Sequence, residues 1–257
     1  VALFHGGGGS GQKIASQTGF AAKADQEGFI LVAPDGIANN WNDGRDTTDA
    51  YKQGVDDVKF IRTLIETLKT KLSIDQNQIY ATGVSNGGIF SHHLGCEMAD
   101  VFAAIAPDVG SLATNLAPRC NPQNPISVVV IQGTEDPFIP INGGDTKNKR
   151  FKNMGDGGLV LSAQDAMKFW ASKNGCNLTP AVTNLPPQVN DGTNVTKKHY
   201  TNCRNNVEVA YYIVNGMGHT WPPKSPQVPF VSGPSTKNID ATEVFWEFFK
   251  THAKYSP

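Results

Sequence analysis

Three residues in this chain have the types and local settings for nucleophilic acyl chemistry. Gly83-Val84-Ser85-Asn86-Gly87 is a G-x-S-x-G pattern inside "IYATGVSNGG". A serine hydroxyl is a weak nucleophile at neutral pH, so it needs a base, and the base needs an orienting acid. Asp136 follows "VVVIQGTE", and His219 follows "VAYYIVNGMG". The order Ser, acid, His, each after an apolar run, is the order expected when a serine sits on a sharp strand-to-helix turn of a parallel sheet. Asp108 also follows a strand, but one strand earlier than the acid is expected. Glu135 reads as a solvated loop charge, and His92 and His93 as packing or surface residues. His199 and His252 lack a glycine-rich strand end.

The opening stretch, "VALFHGGGGSGQK", is a backbone stripped of side chains. Gly6, Gly8 and Gly11 fit a dinucleotide fingerprint with Asp35 as ribose partner. Gly6 to Gly11 also outlines a phosphate loop, although Gln12 stands where that loop needs Lys. A third reading is an oxyanion loop whose N–H groups face a developing negative charge. The Ser85, Asp136 and His219 set favours the third. The N–H of Gly7, with Gly8 as alternative, would then join that of Asn86, and His5 would hold the loop.

These residues must be carried by elements, and the chain alternates strand and helix signals. Strands are predicted at Val1–Phe4, Phe29–Ala33, Gln78–Thr82, Phe102–Ala106, across "ISVVVIQ" after Pro125, and at Val207–Val214. Helices are predicted at Lys13–Gln26, along the apolar stripe from Val55 to Leu72, from Gly87, at Ser162–Asn174 and at Ala241–Thr251. Such alternation predicts a mainly parallel α/β sheet covered on both faces. Ile37–Gly54 reads as a polar loop, and Asn142–Gly158 as a long surface loop. With no internal repeat or low-complexity linker, residues 1–257 read as one domain.

A chain of 257 residues with 22 basic and 23 acidic residues has no charge bias toward nucleic acid or an acidic membrane, and neither is expected as a partner. No apolar run approaches the roughly 20 residues of a membrane helix. The four cysteines, Cys96, Cys120, Cys176 and Cys203, include no C-x-x-C, so no metal is expected. They permit three pairings. Neighbour pairing, Cys96–Cys120 and Cys176–Cys203, is favoured over four buried thiols, and each bridge would be worth about 3 kcal/mol. It implies an oxidising compartment. Asn177 and Asn194 open short sequons of little weight.

Taken together, "HGGGGS", "WNDGR", "VDDVKFI", "GVSNGG", "GTEDPFIP", "LSAQDAMKFWASKNGC" and "GMGHTWP" resemble the esterase and polyhydroxybutyrate-depolymerase branch of the α/β-hydrolases, which includes carbohydrate esterase 1-like feruloyl and acetylxylan esterases. The resemblance covers nearly the whole chain. It implies a triad of Ser85, Asp136 and His219, an oxyanion hole from Gly7 and Asn86, both disulfides, a secreted protein and no cofactor. Relatives usually carry one or two further strands before the His-Gly segment, so N-terminal strands are expected to be missing here. Gln132 stands where many relatives have His, with little effect expected. Aromatics after the site residues, Phe138 and Trp221, and Trp41 in the polar loop are candidate contacts for a hydroxycinnamoyl ring or a sugar. The expected substrate is a small or polysaccharide-linked ester, feruloyl ahead of acetyl. The alternatives are a polyhydroxyalkanoate ester, a peptide, or a hydrolase scaffold kept only for binding.

Overall fold

Along Ser127–Gly133 (β4) every residue is buried, and the side chains divide by parity. Val128 and Val130 join one apolar cluster, while Val129 and Ile131 join another. A strand buried on both faces needs helices on both sides, and the computed structural model supplies them. It describes residues 1–148, 151, 154–224 and 229–254. The strands are β1 (Ala2–Phe4), β2 (Tyr80–Val84), β3 (Ala104–Asp108), β4, β5 (Gly144–Asp145), β6 (Leu159–Val160), β7 (Ala181–Asn184), β8 (Asn194–Tyr200) and β9 (Val209–Asn215). The helices are α1 (Gly11–Thr18), α2 (Phe20–Glu27), α3 (Asp49–Lys52), α4 (Asp57–Lys71), α5 (Asn86–Glu97), α6 (Ala163–Lys173), α7 (Pro229–Ser232) and α8 (Ala241–Thr251).

The main sheet runs β1-β2-β3-β4-β9-β8-β7. The first five strands in that order are parallel, while β8 and β7 are antiparallel additions at one side. Ile61 and Ile65 of α4, Leu94 of α5 and Trp170 of α6 fill the cluster on one face. Ile14 of α1, Phe20 of α2 and Phe245 and Phe249 of α8 fill the other. This is the mostly parallel, helix-flanked sheet of the α/β-hydrolase fold. The helices start where side chains can satisfy free backbone N–H groups. Asp56 accepts from Lys59 N–H, Ser162 from Asp165 N–H, and Asp240 from Thr242 and Glu243 N–H.

The structure departs from the expected elements in several places, and the short α3 and β5 form inside segments read as loops. The single helix expected over Lys13–Gln26 is two, because Gly19 takes a φ of 83° and breaks the helical path. The strand expected at Phe29–Ala33 contributes only one bridge, Ala2 with Val32, beside the three-residue β1. The β7–β8 hairpin was not expected. "NVTKKHY" in β8 has few apolar residues, because much of that strand stays partly exposed. Cys96 is bonded to Cys120 and Cys176 to Cys203, as favoured from the sequence.

Candidate active site

The site lies at the carboxyl ends of the parallel strands, where loops from several strands converge. β2 ends at Val84, and Ser85 follows with φ 58° and ψ −122° before α5 begins. A positive φ at a non-glycine residue costs on the order of 1–3 kcal/mol and needs its surroundings to hold it. Here the Ser85 N–H donates to Asp108 O at 3.0 Å, and Ser85 O accepts from Ile89 N–H at 2.8 Å. The flanking glycines make room. A Cβ on Gly87 would lie 2.3 Å from Phe4 O, so only glycine lets the elbow pack on the loop after β1.

Asp136 and His219 come from the loops after β4 and β9. The His219 Nδ1–H donates to Asp136 Oδ2 at 2.8 Å. The other Asp136 oxygen accepts from the Phe138 and Ile139 N–H groups at 2.8 and 2.9 Å. Asp136 is thereby fixed as an acceptor, and His219 Nε2 stays free of that bond. The His219 loop is tied down where the His219 N–H donates to Ser232 O and the Gly218 N–H to Pro234 O. Ser85 and His219 line two cavities in common. One, of about 730 Å³, also has Arg45, Phe138, Ile139, Met154 and Asp156 in its walls. The other, of about 290 Å³, opens beside Ser10, Lys13 and Gln17. Gly7 and Gly8 border both.

The glycine loop separates its own amides by role. The Gly8 N–H donates to Asn39 O at 2.8 Å and the Gly9 N–H to Gly6 O. The Gly8 amide is therefore already engaged, which leaves Gly7 as the better donor toward a ligand. Gly8 adopts φ 73°, which only glycine tolerates without strain. His5 holds the loop, as expected. Its Nε2 accepts from the Gly36 N–H at 3.0 Å, so Nδ1 carries the proton and donates to Gly6 O at 2.8 Å. Burial lowers the His5 pKa and keeps the ring neutral in this role. Asn86 starts α5, where the first N–H groups have no intrahelical acceptor.

Two expected substrate contacts need correction. Trp41 is 0% exposed. Its indole stacks on Phe90 at 5.1 Å, and its Nε1–H donates to His5 O. Trp221 is buried beside Phe20 and Phe245, with its Nε1–H on Thr242. Both rings fill core, Trp41 in the apolar cluster on one face of the sheet and Trp221 in that on the other, because each buries its ring against core aromatics and spends its indole N–H on a protein acceptor. Phe138 does reach the cavity, its ring 5.0 Å from that of His219. His92 also belongs to the core. It stacks with Trp170, and burial pushes its pKa down to about 3.

Asp43, Arg45 and Asp156 were not singled out from the sequence, and they join Asn86 and Gln132 in bracing the site. Asn86 is clamped by its side chain: Oδ1 accepts from the Trp41 N–H, while Nδ2 donates to Trp41 O and to Asp43 Oδ2 at 2.6 Å. Asp43 also pairs with the buried Arg45 at 2.7 Å. Arg45 reaches Thr146, Gly157 and Asp156. Gln132 donates to Asp136 Oδ2 at 3.3 Å and to Ile139 O at 2.9 Å, so it braces the acid loop. The Asp and Arg two residues apart in "WNDGR" were a visible signal. Asp156 carried none, since it lies 111 residues from Arg45 in the chain. Among the described residues, no group of three or more His, Cys, Asp or Glu is placed to hold a metal ion, and no helix is long and apolar enough to cross a membrane.

A strained serine on a strand-to-helix elbow, with a carboxylate-held histidine at the same edge of a parallel sheet, defines the α/β-hydrolase class. Comparison with known proteins narrows the class. The chain is 35% identical over 210 residues to feruloyl esterase B of Piromyces equi, covering 79% of this chain and 36% of that protein. It is 34% identical over 143 residues to feruloyl esterase C of Emericella nidulans, covering 55% and 48%. The chain thus spans between a third and a half of these relatives. The acetyl xylan esterase from Aspergillus awamori superposes with a TM-score of 0.61 over 97% of this chain and 87% of that one; at 14% identity the likeness is one of fold. No family model matches. The chain is an α/β-hydrolase related to the feruloyl and acetyl esterases and to carbohydrate esterase 1-like enzymes.

Proposed function

We propose that this chain is a serine carboxylic-ester hydrolase that works through an acyl-enzyme. The observation that carries the reading is the Asp136–His219 bond at 2.8 Å, with His219 and the strained Ser85 in the walls of the same cavities. His219 Nε2 takes the proton of Ser85 as Oγ attacks the ester carbonyl. Asp136 keeps the proton on Nδ1 and stabilises the imidazolium. The N–H groups of Gly7 and Asn86 receive the oxyanion; one such donor is worth about 3–4 kcal/mol in the transition state. The tetrahedral intermediate collapses, the C–O bond to the alcohol breaks, and the alcohol leaves with the proton from His219. Water then attacks the acyl-enzyme by the same route and releases the acid and free Ser85. None of these steps needs a cofactor.

The substrate is a feruloyl or acetyl ester on plant cell-wall polysaccharide, feruloyl ahead of acetyl. The names of the Piromyces and Emericella relatives support that choice, and Phe138 in the wall of the larger cavity offers a face for the sugar. The two disulfides support a secreted setting. Ser85→Ala is expected to abolish hydrolysis of p-nitrophenyl acetate and methyl ferulate while leaving the thermal transition in place. Turnover retained by that variant rules the reading out.

A further inference from the structure

The larger cavity has an unusual wall. Arg45 lies in it, yet all its donors are directed at the protein. Nε and Nη2 donate to Asp43, Nη1 to Thr146 and to Gly157 O, and Nη2 also to Asp156. An arginine so engaged has no fork left for a substrate carboxylate or phosphate. The group left to meet a ligand is Asp156. Its side chain is 31% exposed, and the hydrogen bonds it accepts from Arg45 and from Asn40 Nδ2 are both 3.3 Å long and fall on Oδ2. That same oxygen lies 3.3 Å from where a Cβ on Gly7 would stand. The carboxylate therefore abuts the oxyanion loop, next to the bond to be broken. Phe138, Ile139, Met154 and Val231 make the rest of the wall largely apolar.

We infer that Asp156 is a specificity-determining residue that accepts a hydrogen bond from a hydroxyl on the substrate's alcohol limb, beside the ester oxygen, and so selects sugar esters over simple alkyl esters. The inference rests on the hydrolase reading above and assigns the larger cavity to the alcohol limb. A ligand without a donor strips water from the other carboxylate oxygen, Oδ1, without replacing the hydrogen bond, and that penalty is what discriminates. A sugar ester carries hydroxyls on the carbons neighbouring the ester. It can lay its C–H face on Phe138 while a hydroxyl reaches Asp156. A hydroxycinnamoyl group carries its hydroxyl at the far end of a rigid acyl limb, too remote from the oxyanion loop. An internal polyhydroxybutyrate ester has no hydroxyl there, so Asp156 also disfavours that polymer.

The test compares two acetates that differ only in that hydroxyl: the monoacetate of trans-1,2-cyclohexanediol and cyclohexyl acetate. The unmodified protein is expected to prefer the hydroxylated ester by about ten- to a hundredfold in kcat/KM. Asp156→Ala should bring the ratio close to unity, and Asp156→Asn, which keeps an acceptor oxygen, should leave it between the two. A ratio near unity in the unmodified protein overturns the inference without any variant. A ratio that survives Asp156→Ala, including an equal fall on both esters, overturns it too. Failure of the underlying reading looks different: Ser85→Ala would then hydrolyse both esters.

Discussion

Asp108 shows how a single residue can record the electrostatics of the site. It ends β3, is fully buried, and neither carboxylate oxygen has a hydrogen-bond partner. Burial, and then the charge of Asp136, push its pKa well above the ordinary carboxylate range. The unfolded chain releases this proton near pH 3.9. Between that pH and the raised native value, the native state holds a proton that the unfolded state has lost. Stability therefore falls as pH rises through this window, by up to about 1.4 kcal/mol per pH unit. Asp108→Asn removes that dependence. The stability of the variant relative to the unmodified protein should grow from pH 4 upward, read as urea midpoints at several pH values. Parallel profiles would show that Asp108 titrates normally. The contrast with Asp136 is instructive, since that carboxylate is matched by four donors.

At the scale of elements, the join between β1 and α5 matters most. The loop after β1 and the elbow after β2 meet backbone to backbone, and Gly87 is the contact. Gly87→Ala would place a methyl group 2.3 Å from Phe4 O and 2.6 Å from His5 O. Neither carbonyl can swing away as a side chain would, so the strands or the helix must separate. The expected result is a loss of about 1–3 kcal/mol in stability, together with a large fall in ester turnover as Gly7 moves away from Asn86. Thermal melts and p-nitrophenyl acetate kinetics on the same preparation measure both. Unchanged kinetics would mean that the two amides are not held by this contact. Trp41, Asp43 and Arg45 continue the brace from the other side, linking the side chain of Asn86 to Asp156 beside Gly7.

At the scale of the whole molecule, the disulfides tie the last turn of α5 to the segment after β3, and the segment after α6 to the one after β8. Cys96–Cys120 closes a separation of 24 residues and Cys176–Cys203 one of 27. Each is expected to contribute about 3 kcal/mol through the unfolded chain. Reductant, or paired Cys→Ala substitution, should lower the denaturant midpoint accordingly with the slope little changed. A midpoint indifferent to reductant would mean that the bridges do not constrain the unfolded chain.

The residues proposed to carry the chemistry stand out in the sequence because the α/β architecture sets them in local patterns. A G-x-S-x-G between a strand and a helix, and an acid and a histidine each just past an apolar run, are short-range patterns set by strand ends. The apolar periodicity of α4 and the β-branched run of β4 were legible for the same reason, and so was neighbour pairing of the cysteines. The tertiary structure alone decided the rest. It turned Trp41 and Trp221 inward, because an aromatic ring in a loop can face solvent or core with the same flanking sequence. It made the strand expected at Phe29–Ala33 a single bridge, because pairing depends on the neighbour and β1 offers only three residues. It also brought Asp156 onto Arg45 and the oxyanion loop across more than a hundred residues of chain. Local patterns follow from nearest-neighbour backbone physics, whereas the composition of a cavity wall follows from which distant loops the packed sheet brings together.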